Sequence, residues 1–326
     1  MCRPRGAPAH ACARIELGTM SHRTAARTTR ITVPVRAPFR LALTVAALQR
    51  RPENPVDTWS ADRRYLRAFD TARGPVVWAV TEEPGGTQLR VEVFGDVDDP
   101  RMWRGLVTRL LGTDIDLAPF YARAERLPAF AALAARFRGV KPPRFASLWE
   151  AIVNSVVFQQ LSLAAAMAAV RRLVLRFASP VDVAGQRLFP FPPPEVVASS
   201  TPHDLRTLGL SGAKADALRT CARMIAAGEL REEELEALAN GEIERRLREL
   251  PGIGPWTASV ILLRGFRRLD VFPGGDVAAA RGLGAIAGEH GGELVEALGP
   301  YRGMLYFHLL LSSLAAHRSG PSRLAS

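Results

Sequence analysis

The chain has 326 residues, 48% hydrophobic and 23% charged, a composition of ordinary globular domains and enough length for two or three cores. Its three cysteines, Cys2, Cys12 and Cys221, form no C-x-x-C pair. That excludes a disulfide framework and a four-cysteine cluster, and the absence of any run of about 18 apolar residues excludes a membrane-spanning helix of ordinary length. Lys+Arg 43 against Asp+Glu 32 gives +11, which invites a polyanionic partner. The invitation is weak, because Arg3, Arg5, Arg14, Arg23, Arg27 and Arg30 face a single acid, Glu16, and supply +5 of the excess.

Residues 1–28, rich in Arg, Ala and Thr, read as a disordered basic leader without the apolar core of a secretory signal, and Met20 offers a second start. From Ile31 the texture alternates. Strands are expected at Ile31–Val35, Tyr65–Phe69, Val76–Thr81 and Leu89–Phe94, with turns at Arg73-Gly74-Pro75 and Pro84-Gly85-Gly86. Helices are expected from Pro38 to Leu48 and, after Asp99-Pro100, from Met102 to Leu111. Residues 29–117 therefore read as a small α+β domain with an antiparallel sheet.

After about Leu117 the strand signals vanish. Helices are expected over Pro119–Glu125, Pro128–Arg136, Ser147–Phe177, Pro202–Leu208, Ala213–Ala227, Leu230–Asn240, Glu242–Leu250, Trp256–Gly265, Asp276–Leu283, Glu293–Leu298 and Met304–Ala316. The proline-dense stretch Phe189–Pro194 reads as a stiff connector. The expected fold class is thus mixed, with an all-helical domain at 118–318 and a tail at 319–326.

The most restrictive segment is Leu250-Pro251-Gly252-Ile253-Gly254-Pro255-Trp256-Thr257-Ala258. Two glycines two apart allow a tight turn and close approach of another backbone, and Pro255 fits the first turn of the next helix. Such a turn presents helix N-terminal amides to an anion. A plain helical hairpin needs no more than G-x-G, and the extended pattern demands more.

These nine residues resemble the hairpin of the helix-hairpin-helix DNA glycosylase superfamily, and Trp256-Thr257-Ala258 is similar to its 3-methyladenine DNA glycosylase II branch. Three further stretches follow in the family's order. Phe158-Gln159-Gln160-Leu161-Ser162 resembles the segment that enters the base stack. Leu208-Gly209-Leu210-Ser211-Gly212-Ala213-Lys214-Ala215 resembles a second phosphate-facing turn. Asp270–Asp276 is similar to the loop ending in the catalytic aspartate, and Pro300-Tyr301-Arg302 with the following helix is similar to the closing element. The resemblance runs from about Ile31 to Ala316.

The resemblance implies a fold of an α+β domain followed by a helix-hairpin-helix domain, and a monofunctional enzyme that flips a damaged base from double-stranded DNA and cuts its N-glycosidic bond. It implies Asp276 as the catalytic carboxylate, although Asp before Val277-Ala278-Ala279-Ala280 is equally an ordinary helix cap. Trp256 would wall the base pocket, with a core tryptophan as the alternative. Gln160 and Leu161 would fill the gap left by the flipped nucleotide, or else close a helix end inside the domain. Ser211, Gly212, Lys214, Gly252, Ile253, Gly254 and Thr257 would contact DNA.

Lys141 and Lys214 are the only lysines. In the strand-nicking branch a hairpin lysine forms a Schiff base with the sugar, and here that place holds Trp256, so base removal by water is expected. The cysteine count rules out the iron–sulfur cluster of several relatives, and neither cofactor nor metal is expected. Val260 and Val277 stand where the branch tends to carry tyrosines, and Leu309 and Leu310 where it carries an aromatic, so the pocket is expected to be less aromatic. Rival readings are a glycosylase for oxidised or deaminated bases and a non-catalytic DNA-binding module. A cytoplasmic, nucleoid-associated monomer with no membrane partner completes the expectation.

Overall fold

The computed structural model describes residues 28–97, 99–183 and 185–319, so the expected leader and most of the expected tail lie outside the described residues. The first half is built on a five-stranded antiparallel sheet of order β1-β5-β4-β3-β2: β1 Thr28–Pro34, β2 Thr58–Trp59, β3 Tyr65–Thr71, β4 Gly74–Glu82 and β5 Gln88–Phe94. Register follows the period-two pattern, with Val80 opposite both Tyr65 and Val91. One face carries Val76, Trp78, Val80, Val91 and Val93 against two helices, α1 Leu41–Gln49 and α2 Pro100–Leu111. Asp99 caps α2, its carboxylate accepting from the Arg101 amide at 2.8 Å, with Pro100 in the first turn.

The other face is also covered. Leu66, Ala68, Val77, Ala79 and Phe94 pack on Val181, Val183 and Leu188, which belong to a short hairpin, β6 Val181–Val183 and β7 Gln186–Leu188. The helical half therefore contains two strands that were not expected, placed as a lid over the sheet.

The remaining elements are helices: α3 Ala118–Ala124, α4 Pro128–Arg136, α5 Leu148–Phe158, α6 Leu163–Phe177, α7 Pro194–Ser199, α8 Pro202–Thr207, α9 Gly212–Ala226, α10 Glu232–Glu236, α11 Asn240–Arg248, α12 Pro255–Gly265, α13 Val277–Ala287, α14 Gly291–Ala297 and α15 Arg302–Ser319. The long helix expected over Ser147–Phe177 is broken. Ser147 caps α5 and Ser162 caps α6, and between them Gln160 takes φ 55°, which ends one helix and turns the chain outward.

The core of the helical half gathers α5, α6, α9, α11 and α12, and a second cluster joins α3, α4 and α15 with Ala47 of α1. The halves also meet through ions. Arg67 on β3, almost wholly buried, bonds Asp57 at 2.7 Å and pairs with Glu150 of α5 at 2.5 Å. No helix among the described residues is long and apolar enough to cross a membrane.

Candidate active site

The hairpin between α11 and α12 forms as its glycines dictate. Gly252 has φ +74°, and a Cβ there would stand 2.8 Å from the Cβ of Ala217 on α9, so both conformation and packing require glycine. Gly254 differs: its backbone is ordinary, and a Cβ would meet nothing within 4 Å. Pro255 occupies the first turn of α12, leaving the amides beyond it open at the helix N-terminus.

Ile253 and Thr257, expected among the DNA contacts, have inward-facing side chains. Both are buried, Ile253 in the main helical core and Thr257 beside the cavity described below. Thr257 is taken up by Gln159, whose Nε2 donates to its Oγ1 at 2.8 Å and to the Gly252 carbonyl at 2.6 Å. Lys214 is likewise turned inward. Its ammonium donates to the carbonyls of Val157 at 2.9 Å and Gln159 at 2.6 Å, and burial pulls its pKa down, so it fastens α9 to the end of α5. Ser211 and Gly212 remain exposed at the N-terminus of α9, where the Ser211 hydroxyl accepts from the Lys214 amide at 3.3 Å. Gln160 and Leu161 are exposed at the break between α5 and α6.

The loop before α13 ends at Asp276, which caps that helix: Oδ1 accepts from the Ala279 amide at 2.8 Å. Oδ2 takes no hydrogen bond from the described residues. The loop is held by α15, because a Cβ at Gly303 would meet the carbonyls of Val271 at 2.9 Å and Leu269 at 3.0 Å, and the Gly303 amide donates to Leu269 at 2.7 Å. On its other side a Cβ at Gly275 would stand 3.3 Å from Trp256, so the loop lies against the indole.

These pieces enclose a cavity of ≈ 840 Å³. Gln160, Leu161, Gly252, Gly254, Trp256, Thr257 and Asp276 all line it, while Ser211, Gly212, Lys214 and Ile253 do not. The wall combines the aliphatic residues expected there with aromatic ones. Val260 is buried away from the cavity and Val277 is 74% exposed at its rim, but Trp256 is joined on the wall by Phe158 and Tyr306. Tyr306 lies one turn before Leu309 and Leu310 on the same face of α15, and all three line the space. Burial and the Asp276 carboxylate both push the Tyr306 phenol up, which keeps its proton in place.

Sequence reasoning missed Gln159, Tyr306 and Arg50. Gln159 lay beside Gln160 and its hydrogen-bonding capacity was the signal, while Tyr306 lay one helical turn before Leu309 and Leu310. Arg50, the residue after α1, also lines the cavity, although it comes from the other half of the chain. Among so many arginines its only mark is a position after an apolar helix and before Pro52.

The model of the HhH-GPD superfamily of base excision DNA repair proteins matches residues 153–298. A DNA-3-methyladenine glycosylase of Bacillus subtilis is 35% identical over 195 residues, 58% of this chain and 64% of that protein. The match thus spans less than two thirds of that relative's length. DNA-3-methyladenine glycosylase 1 of Schizosaccharomyces pombe is 30% identical over 178 residues, 54% of this chain and 73% of that protein. Among solved structures, a 3-methyladenine DNA-glycosylase from Archaeoglobus fulgidus shares the fold with TM-score 0.72 and 24% identity, over 87% of this chain and 97% of that one. With the hairpin, the Asp276 loop and this overlap together, the chain belongs to the HhH-GPD superfamily of base excision DNA repair proteins.

Proposed function

We propose that the protein is a DNA glycosylase that hydrolyses the N-glycosidic bond of damaged bases, alkylated purines among them, after the nucleotide turns out of the duplex. One observation carries the reading. Asp276, with one carboxylate oxygen unengaged, lines a cavity of base-accommodating size, beside an indole that can stack on a flipped ring. As the bond breaks, the sugar gains oxocarbenium character, which a carboxylate stabilises while orienting water. The names of the two curated relatives support alkylated purines as the substrate class.

Double-stranded DNA is the proposed partner. The N-termini of α12 and α9, with Gly254, Ser211 and Gly212 exposed there, would take backbone phosphates, and Gln160 and Leu161 would enter the space the base vacates. The two hairpin glycines then separate binding from folding. Gly254→Ala is expected to leave stability within about 0.5 kcal/mol and to weaken all duplexes equally, since a phosphate carries no base identity. Gly252→Ala is expected to cost roughly 1–2 kcal/mol of stability through its left-handed backbone alone, before the Ala217 contact is counted. Equal duplex affinity for wild type and Gly254→Ala would remove the hairpin from the interface.

The expected reaction releases methylated purines and leaves abasic sites without strand breaks. No lysine lines the cavity, Lys214 is bonded to two carbonyls, and the buried Lys141 donates to the Ile115 carbonyl at 2.6 Å. Incubation with methylated duplex and borohydride checks this. A trapped protein–DNA adduct would overturn it, and release confined to oxidised or deaminated bases would move the substrate class.

A further inference from the structure

Two charged side chains line the cavity, and the chemistry above uses only Asp276. The other is Arg50. Its guanidinium lies 4.4 Å from the Phe158 ring centre and 5.3 Å from that of Phe145, and the residue is only 7% exposed. Buried arginines are ordinarily paired. Arg67 has Asp57 and Glu150, and Arg264, beside Arg50, donates to the Ala47 carbonyl at 2.8 Å. The Arg50 guanidinium donates to no acceptor among the described residues, and its Nε is closed off without a partner. The backbone is unusual too. Arg50 is the C-cap of α1, with φ 58° and its amide donating to the Ala46 carbonyl at 2.9 Å, so the end of the helix fixes where its side chain starts.

We propose that Arg50 is a specificity-determining donor of the base pocket, selecting an uncharged purine with oxygen at C6 over a cationic N-methyl purine bearing an amino group there. The inference rests on the glycosylase reading above and adds the choice of base to it. A guanidinium offers donors only, in a planar fork that matches the O6 and N7 acceptors of a 6-oxopurine. A 6-amino group would set donor against donor, and a methylated cation would meet like charge. Burial and the neighbouring Arg264 pull the Arg50 pKa down to about 9, which still leaves it charged at neutral pH.

The donor also suits the leaving group. When the C1′–N9 bond of an uncharged purine breaks, its electron pair stays on N9 and the base departs as an anion, its charge shared with O6. Arg50 can bond that developing charge, water supplies the new C1′–O bond, and the proton shed by that water ends on the base. A cationic N-methyl purine departs neutral and gains nothing from such a donor.

The test is single-turnover base release from a duplex with one hypoxanthine and from alkylated DNA scored for 3-methyladenine. Arg50→Met keeps the bulk and the packing on Phe158, whereas Arg50→Lys keeps the charge and loses the fork. Arg50→Met is expected to lower the ratio of hypoxanthine release to 3-methyladenine release roughly tenfold to a hundredfold, the discrimination of one bidentate contact. Arg50→Lys is expected to be impaired on hypoxanthine alone, and it decides the matter should the methionine variant not fold. Equal slowing on both substrates would make Arg50 a packing residue and overturn the inference. A wild-type protein that releases 3-methyladenine but no hypoxanthine overturns it while leaving the glycosylase reading in place. Release of neither overturns both.

Discussion

Asp276→Asn is expected to lower base release by roughly 100- to 1,000-fold, the loss typical when one electrostatic stabiliser of a transition state is removed. The fold should survive. Asparagine caps helices about as well as aspartate, and its amide oxygen can accept from the Ala279 amide as Oδ1 does now. The negative charge does not survive, and the unengaged oxygen is replaced by the nitrogen of a neutral amide. Binding to lesion-bearing duplex is expected to stay within about tenfold, or 1.4 kcal/mol, because the carboxylate acts on charge that develops only during the reaction. Rates and affinities measured on one preparation separate the two effects. A variant that kept most of its rate would reduce Asp276 to a helix cap.

Arg67→Met is expected to cost about 3–5 kcal/mol of folding stability, the range for breaking a buried ion pair by removing one partner. Arg67 bonds Asp57 and pairs with Glu150, and all three side chains are nearly sealed from water. Without the guanidinium two carboxylates share one apolar site. Burial already raises the Glu150 pKa and Arg67 opposes that rise, so its loss sends Glu150 further up. A carboxyl whose folded pKa lies above its unfolded value is stabilising when protonated. The deficit of the variant is therefore expected to be largest near neutral pH and to shrink as the pH falls through that raised pKa. Urea unfolding at neutral and acidic pH checks both the size and the slope. A deficit below about 1 kcal/mol would show that the triad contributes little to joining the halves.

What the sequence disclosed follows from how each feature is encoded. The hairpin was legible because Gly252 and Pro255 are each required by the local backbone, through a positive φ and the first turn of a helix. The Asp276 loop was legible for the same reason, a cap before an apolar helix. The hairpin of β6 and β7 was not, since three-residue strands carrying Asp182, Gln186 and Arg187 show no usable alternation. Its trace lay elsewhere, in the unbroken apolar run Val76–Val80 of β4, which demands cover on both faces of the sheet. Arg50 reaches the cavity through tertiary packing alone, and no periodicity announces that, whereas Tyr306 shares the helical spacing of Leu309 and Leu310. Lys214 shows the converse error: a cation in a phosphate-facing motif suggested an anion, and two helix-end carbonyls claim it instead.

The superfamily model matches residues 153–298, which include Asp276 and Trp256 but neither Arg50 nor Tyr306. Arg50 comes from the end of a helix under the sheet, and Tyr306 from the last helix of the chain. Within the proposed activity, the catalytic carboxylate and the donor proposed to choose the base thus lie in separate segments of the chain. Substitutions near Arg50 can retune which lesion is accepted while the machinery that breaks the bond stays untouched. Relatives sharing the central motif need not share a substrate, and the place to look for their divergence is outside it.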